Sequence, residues 1–173
     1  MRLRNLYIAL TLCLAVLLSG ESVKLGPYRN TDGNFTVLMP GTPTEKLTSD
    51  KPERKTHIVS LASGVVHYNV IYTKVVDDHT VSEEFFQIFR NAFLLVPECR
   101  AVNLGQAVPP VTSYLGRRYR QDCNRSGTMR HEEGNIYWGK RYSYVVYVSY
   151  PVNQSPPADL NSFLGSFAQI GPD

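Results

Sequence analysis

Hydrophobic and polar residues alternate most regularly over residues 65–76, which read VVHYNVIYTKVV. The even-numbered positions from Val66 to Tyr72 are apolar, and His67 and Asn69 lie between them. Successive side chains of a strand point to opposite sides of a sheet. The alternation therefore predicts a strand with one face in the core and one wetter face.

The hydrophobic period changes to that of a helix after residue 80. The apolar residues at helical spacing are Val81, Phe85, Ile88, Phe89 and Phe93. Thr80 and Glu83 fit a capping box, and Pro97 ends the helix. We interpret this segment as an amphipathic helix that packs its apolar side on a sheet.

Short apolar runs between turn residues predict the remaining elements. They are strands at 35–39, 56–62, 102–108 and 114–122, a hairpin of 128–138 with 141–150, and a short helix near 160–167. Residues 42–54 are rich in Pro, Thr, Lys and Glu and predict an exposed loop. The order of strands, helix, strands and helix predicts an α+β fold with a mainly antiparallel sheet flanked by helices.

The first 22 residues have the layout of a secretory signal peptide. Arg2 and Arg4 precede a 13-residue apolar run at 6–18, and small residues follow it. The run is shorter than the ~20 residues that a membrane-spanning helix needs, so we expect cleavage after Ser22 and export to the periplasm or the exterior. An uncleaved, membrane-anchored form is the alternative. Cys13 lies inside the run, where a lipid-attachment cysteine does not belong.

The sequence divides into a signal peptide at 1–22, an N-terminal linker at 23–34, one domain at 35–170 and a C-terminal tail at 171–173. Loss of Arg2, Arg4 and Glu21 reduces the net charge from +3 to +2, because two positive charges and one negative charge leave. So weak a charge does not indicate a nucleic-acid partner. No second apolar stretch is long enough to cross a membrane.

Cleavage leaves two cysteines, Cys99 and Cys123. In an oxidising compartment such a pair can form a disulfide, and the alternative is two buried thiols that never meet. The spacing does not decide between them, because a disulfide requires close Cα atoms.

Several stretches together carry a family resemblance. They are DGNFTVLMPGTP at 32–43, GRRY at 116–119, the hairpin at 137–144 and FLGSF at 163–167. Their succession resembles a group of uncharacterised exported bacterial domains with a PsbP-like α/β/α sandwich; PsbP itself is an extrinsic subunit of the oxygen-evolving photosystem. The resemblance implies the fold and a binding or assembly role. It supplies no catalytic residue, since function resides in sites rather than folds.

No catalytic or cofactor motif is present in the sequence, and we predict no cofactor. His131 and Glu133 share one face of a predicted strand and are the candidate metal ligands. They would need a histidine from another strand, such as His57 or His67. A surface carboxylate and an exposed histidine explain the same residues without a metal.

Basic residues follow one another over residues 114–141. If the strands are adjacent, Arg118, Arg120, Arg130, Trp138 and Arg141 form a basic surface with interleaved aromatic residues. Such a surface could receive an acidic envelope protein or an anionic ligand. The alternative is a solvated sheet face whose charges keep strand edges from pairing.

These observations favour an exported binding or accessory domain, associated with an envelope complex, over an enzyme. The alternatives are a protein that binds a metal or a small ligand through His131 and Glu133, and a hydrolase of unrecognised type. A hydrolase would need a deep pocket with a paired nucleophile and base.

Overall fold

The computed structural model describes residues 24–76, 80–94, 97–107 and 114–172. The predicted signal peptide lies outside these residues. The strands are β1 Gly26–Asn30, β2 Phe35–Met39, β3 Thr44–Lys51, β4 Arg54–Ser63, β5 Val66–Val75, β6 Cys99–Ala107, β7 Leu115–Arg125, β8 Thr128–Trp138, β9 Tyr142–Pro151 and β10 Ala168–Gln169. The helices are α1 Glu83–Leu94 and α2 Leu160–Gly165.

The strands form two antiparallel sheets. The large sheet has seven strands in the order β3-β4-β5-β9-β8-β7-β6, and the small sheet has the order β1-β2-β10. The hairpin at Ser63 turns through Gly64, whose φ of 60° suits glycine. The predicted α+β class with a mainly antiparallel sheet is confirmed.

Each face of the large sheet packs against different elements. The first, here called the α2 face, contacts the small sheet and α2 through a core that includes Phe35, Tyr68, Tyr144 and Phe163, all at most 1% exposed. The second, here called the α1 face, contacts α1. Alternation along β5 and β9 places neighbouring residues on opposite faces, so both strands have buried residues on each side.

Helix α1 packs on one end of its face. Phe86 is fully buried against Ile136 and Val145, and Phe89 lies over Trp138 with ring centroids 4.9 Å apart. The predicted apolar stripe was partly wrong, because Phe85 and Ile88 are exposed and Phe86 is the central contact. The helix start also differs from the prediction: the Ser82 hydroxyl, rather than Thr80, accepts the Phe85 N–H at 3.3 Å.

Two segments expected to lack regular structure form strands. Gly26–Asn30, within the predicted linker, pairs with β2, and the Asn30 side chain accepts the Gly33 N–H at 2.6 Å to fix the turn between them. Thr44–Lys51, within the predicted loop, pairs with β4 as an edge strand. This strand has no alternating apolar pattern, since most of its residues are polar and exposed. An edge strand can be held by backbone pairing alone, and its charged side chains discourage aggregation.

Cys99 and Cys123 form a disulfide. They lie directly opposite one another in the β6–β7 pairing, with Cα atoms 4.0 Å apart. The alternative of two separate thiols is therefore excluded, and the disulfide links the outermost strand of the large sheet to its neighbour.

Gly134 allows close packing on the α1 face. A Cβ at this position would contact the Val146 carbonyl oxygen and lie 2.6 Å from Tyr147 Cβ and 2.9 Å from Tyr119 Cε1. We expect Gly134→Ala to lower the free energy of unfolding by about 2 kcal/mol, because the backbone contact cannot give way. Urea denaturation measures the change. Gly165→Ala is the control, since nothing lies within 4 Å of its Cβ; equal effects of the two substitutions would contradict the packing described here.

Candidate functional site

The residues predicted to form one basic surface lie in three places. Arg118 and Arg120 are on the α2 face of β7, whereas Arg130 and Trp138 are on the α1 face of β8. Trp138 is only 8% exposed and donates to the Thr80 carbonyl oxygen at 3.1 Å. Arg141 lies in the exposed turn between β8 and β9. The structure therefore brings Arg118 and Arg120 together but does not join them to the other three.

Carboxylates accompany Arg118 and Arg120 on the α2 face. Glu133 Oε2 lies 3.8 Å from Arg118 Nη2, and Glu133 Oε1 lies 3.6 Å from Arg120 Nε. The Tyr150 hydroxyl donates to Glu133 at 2.6 Å, and burial together with this bond raises the Tyr150 pKa. Glu133 thus counters part of the positive charge, and this surface is less basic than the sequence suggests.

The candidate metal ligands His131 and Glu133 do share the α2 face. His131 Nδ1 contacts Asp122 Oδ1 at 2.5 Å. Neither proposed third ligand joins them, because His57 pairs with Glu45 at 2.8 Å and His67 lies on the α1 face. Over the described residues, the one group of three ligand-type residues is Cys99, Cys123 and Glu132. Its two sulfur atoms are bonded to each other.

A row of polar residues crosses the α1 face beyond the end that α1 covers. Strand register aligns Gln121 with Glu132, Glu132 with Ser149, and Ser149 with His67. These four residues, on β7, β8, β9 and β5, are here called the polar ladder. Gln121, Glu132 and Ser149 are each less than 5% exposed. His67, at the end of the row, is exposed. Three neighbouring buried polar residues at the centre of a sheet are unusual, because desolvated polar groups are costly unless they are bonded.

Hydrogen bonds hold the ladder carboxylate of Glu132 in place. Arg125 donates to it twice, at 2.8 and 3.1 Å, and Gln121 Nε2 donates at 2.8 Å. The bond to Glu132 raises the pKa of Arg125. The buried Glu132 charge is therefore paired and oriented.

Arg130 lies two residues from Glu132 along β8, on the same face and opposite Cys123, and is 9% exposed. Its Nε donates to Ser149 Oγ, and its Nη2 donates to the carbonyl oxygens of Ser149 and Val65, each at 2.7 Å. These three bonds fix the plane of the guanidinium group. Its Nη1 makes no hydrogen bond with any residue that the structure describes.

Arg130 lines a concavity of about 410 Å³ together with three residues of the polar ladder, His67, Glu132 and Ser149; it is here called the ladder concavity. Its lining residues are His67, Asn69, Arg125, Ser126, Thr128, Arg130, Glu132, Tyr147 and Ser149. Burial and the negative charge of Glu132 raise the Tyr147 pKa, so this phenol stays protonated at neutral pH. The volume lies in the range of small-molecule sites.

Sequence reasoning identified Arg130 but not the ladder concavity. The sequence does contain polar residues in otherwise apolar strands. Arg130 and Glu132 belong to a strand whose later residues are almost all buried, and Ser149 belongs to a strand of valines and tyrosines. Only the register of four strands shows that these residues are neighbours.

Comparison with known proteins gives a fold but no family. No family model matches the sequence, and no curated protein matches it. The chain is similar to the solution structure of cyanobacterial PsbP (CyanoP) from Synechocystis sp. PCC 6803, with a TM-score of 0.56 and 12% identity over 87% of this chain and 95% of that one. At this identity the likeness shows a PsbP-like fold alone. Within the described ranges, no helix combines the length and apolar character needed to cross a membrane.

The environment of His67 predicts a pH effect on stability. Partial burial and the positive charge of Arg130 lower the His67 pKa from its ordinary value of 6.5. The unfolded chain therefore takes up this proton first as the pH falls through 6.5, and the native state loses stability. Above pH 6.5 the ring is neutral in both states and the effect vanishes.

We expect the unfolding free energy of the wild type to fall more between pH 7.5 and pH 5.5 than that of His67→Gln. Chemical denaturation at both pH values measures this difference, and NMR titration reports the His67 pKa directly. Arg130→Gln should raise that pKa. A wild-type pKa at or above 6.5 would contradict the electrostatics described here.

Proposed function

We propose that this chain is an exported binding domain whose ligand occupies the ladder concavity. The observation that carries the proposal is the pair of buried, pre-oriented charged side chains, Arg130 and Glu132, in the lining of an open concavity. Elsewhere on the same face, the covered end is built from apolar and aromatic residues.

Stability alone does not account for these charges. Removing a charged group from water costs several kcal/mol, and replacing buried ion pairs by apolar residues is often neutral or stabilising. Residues that are strained or costly to bury are typical of functional sites. A ligand that uses the charges gives a reason for their presence.

The same bonds that hold the side chains also favour binding. Three hydrogen bonds fix Arg130 and three fix Glu132. Side chains that are already ordered lose little entropy when a ligand arrives, so more of the interaction energy appears as affinity. Holding and presenting a ligand requires no catalytic step.

Two features support a place outside the cytoplasm. The leader at 1–22 has the layout of an export signal, and the Cys99–Cys123 disulfide is a bond that persists in oxidising compartments. An exported domain of this kind would work in the cell envelope, where its ligand could be free or part of an envelope complex.

The binding proposal is tested by filling the ladder concavity. Thr128 is exposed and lines it, so Thr128→Trp should block the site without disturbing the core. Thr44→Trp is the matched control, because Thr44 is also an exposed strand residue but lies on β3 at the far edge of the sheet. Each protein is purified from the envelope of its own host, and mass spectrometry measures small molecules released on denaturation.

We expect the wild type and Thr44→Trp to retain the same compound, and Thr128→Trp to retain at least roughly tenfold less, as a fully blocked pocket should. Equal retention by all three proteins, or no retained compound in any, would contradict the proposal. The mass of the purified protein also reports on the leader: a chain that begins at Val23 supports cleavage after Ser22 and export, and a chain that keeps residues 1–22 contradicts cleavage and favours the membrane-anchored form.

A further inference from the structure

The charges around the ladder concavity are not balanced. Arg125 and Glu132 pair with each other through two hydrogen bonds and cancel. Arg130 contacts three oxygen atoms, but all three belong to uncharged groups: the Ser149 hydroxyl and the backbone carbonyls of Ser149 and Val65. Within the described residues no carboxylate forms a salt bridge with Arg130.

An arginine residue that is nine-tenths buried and lacks a counter-charge is an unusual arrangement. Arginine is rarely buried unless it is paired, because its desolvation cost is only partly recovered from neutral acceptors. Arg130 nevertheless lines an open concavity, with its Nη1 donors unused by the described residues. The missing counter-charge can therefore come from a bound molecule.

We propose that the ladder concavity binds a small molecule through one carboxylate group, which pairs with Arg130. This inference rests on the proposed function and names the chemical class of its ligand. The carboxylate accepts from Nη1 of Arg130, and Asn69 and Thr128 supply further polar groups in the same lining. A guanidinium group and a carboxylate form hydrogen bonds that are stronger than those between neutral groups.

The charge balance favours a carboxylate over a phosphate dianion. The ionisable groups near the ligand are Arg125, Arg130, Glu132 and His67, and with His67 neutral their sum is one positive charge. One carboxylate neutralises that charge. A second negative charge would face Glu132 at short range without a further cation to offset it.

Binding of a carboxylate is coupled to a proton on His67. The charged or titratable groups that face His67 across the concavity are Arg125, Arg130, Glu132 and Tyr147, and its β4 neighbour is the uncharged Ala62. Arg130 disfavours the protonated ring. A bound carboxylate offsets this effect, so His67 accepts a proton more readily in the complex and affinity increases as the pH falls.

The test compares carboxylates with uncharged amides of the same shape. Benzoate and phenylacetate, each beside its amide, are titrated into the oxidised full chain and followed by NMR signals of His67 and of the Arg130 side chain. We expect the carboxylates to bind and the amides to shift neither signal. Affinity for benzoate should increase roughly threefold between pH 8 and pH 6, as partial proton uptake requires.

Variants locate the interaction. Arg130→Gln should weaken benzoate binding roughly thirtyfold or more, because it removes one partner of a desolvated charge pair. Because that variant can also lose stability, Thr128→Glu provides a second test on an exposed residue. It should weaken binding roughly five- to tenfold by repulsion, whereas its neutral isostere Thr128→Gln should not. Arg117→Gln, at the end of the face near α1, is the control for loss of an arginine.

Equal binding of carboxylates and amides, failure of both carboxylates to bind, or equal binding by Thr128→Glu and Thr128→Gln would overturn the carboxylate assignment. If Thr128→Trp still reduces retention of a compound from the host, the proposed binding function stands even though the carboxylate assignment fails. If retention is also independent of position 128, both proposals fail.

Discussion

The need to cover both faces of a long sheet determines the rest of the structure. Strands β7 and β8 have 11 residues each, roughly 36 Å, whereas the 12 residues of α1 extend roughly 18 Å. The helix is therefore about half as long as these strands. The α2 face has both a small sheet and a helix to cover it, and among the described elements the α1 face has only α1.

The two ends of the α1 face therefore differ in chemistry. The covered end buries Phe86, Ile136, Trp138 and Val145, and the open end carries the polar ladder with Arg130. Gly134 lies between the ends, where its lack of a side chain leaves room for the Tyr119 ring. The disulfide borders the open end, because Cys123 and Arg130 occupy the same register position.

Buried charges at the open end connect the fold to function. Glu132 has partners that complete its bonding and cancel its charge, whereas Arg130 has bonding partners but no counter-charge. The first arrangement orients a group within the protein. The arrangement around Arg130 leaves a positive charge that attracts an anion. This charge lines an open concavity, which a molecule from solution can enter. A site of this kind can be placed on any fold, so the PsbP-like architecture does not itself specify the ligand.

The sequence predicts those features that depend on local periodicity. The alternation of β5, the helix α1 and the last hairpin all follow from it, and the shared face of Arg118 and Arg120 is a consequence of two-residue spacing. Strands β1 and β3 were missed because their stability comes from pairing rather than from apolar residues. The ladder concavity could not be predicted, since Gln121, Glu132, Ser149 and His67 become neighbours only through the register of strands that are distant in sequence.

We infer that the charges beside the ladder concavity serve binding rather than folding. This is tested most directly by removing the Arg125–Glu132 ion pair as a unit. In Gln121→Met/Arg125→Met/Glu132→Met, the buried Glu132 carboxylate, its partly exposed partner Arg125 and the buried amide that donates to it are all replaced by unbranched apolar side chains, so that no buried polar group of this network is left unpaired. We expect the free energy of unfolding, measured by urea denaturation at pH 7.5, to stay within about 1 kcal/mol of the wild type or to increase. A loss of 2 kcal/mol or more would show that the fold itself depends on the charges.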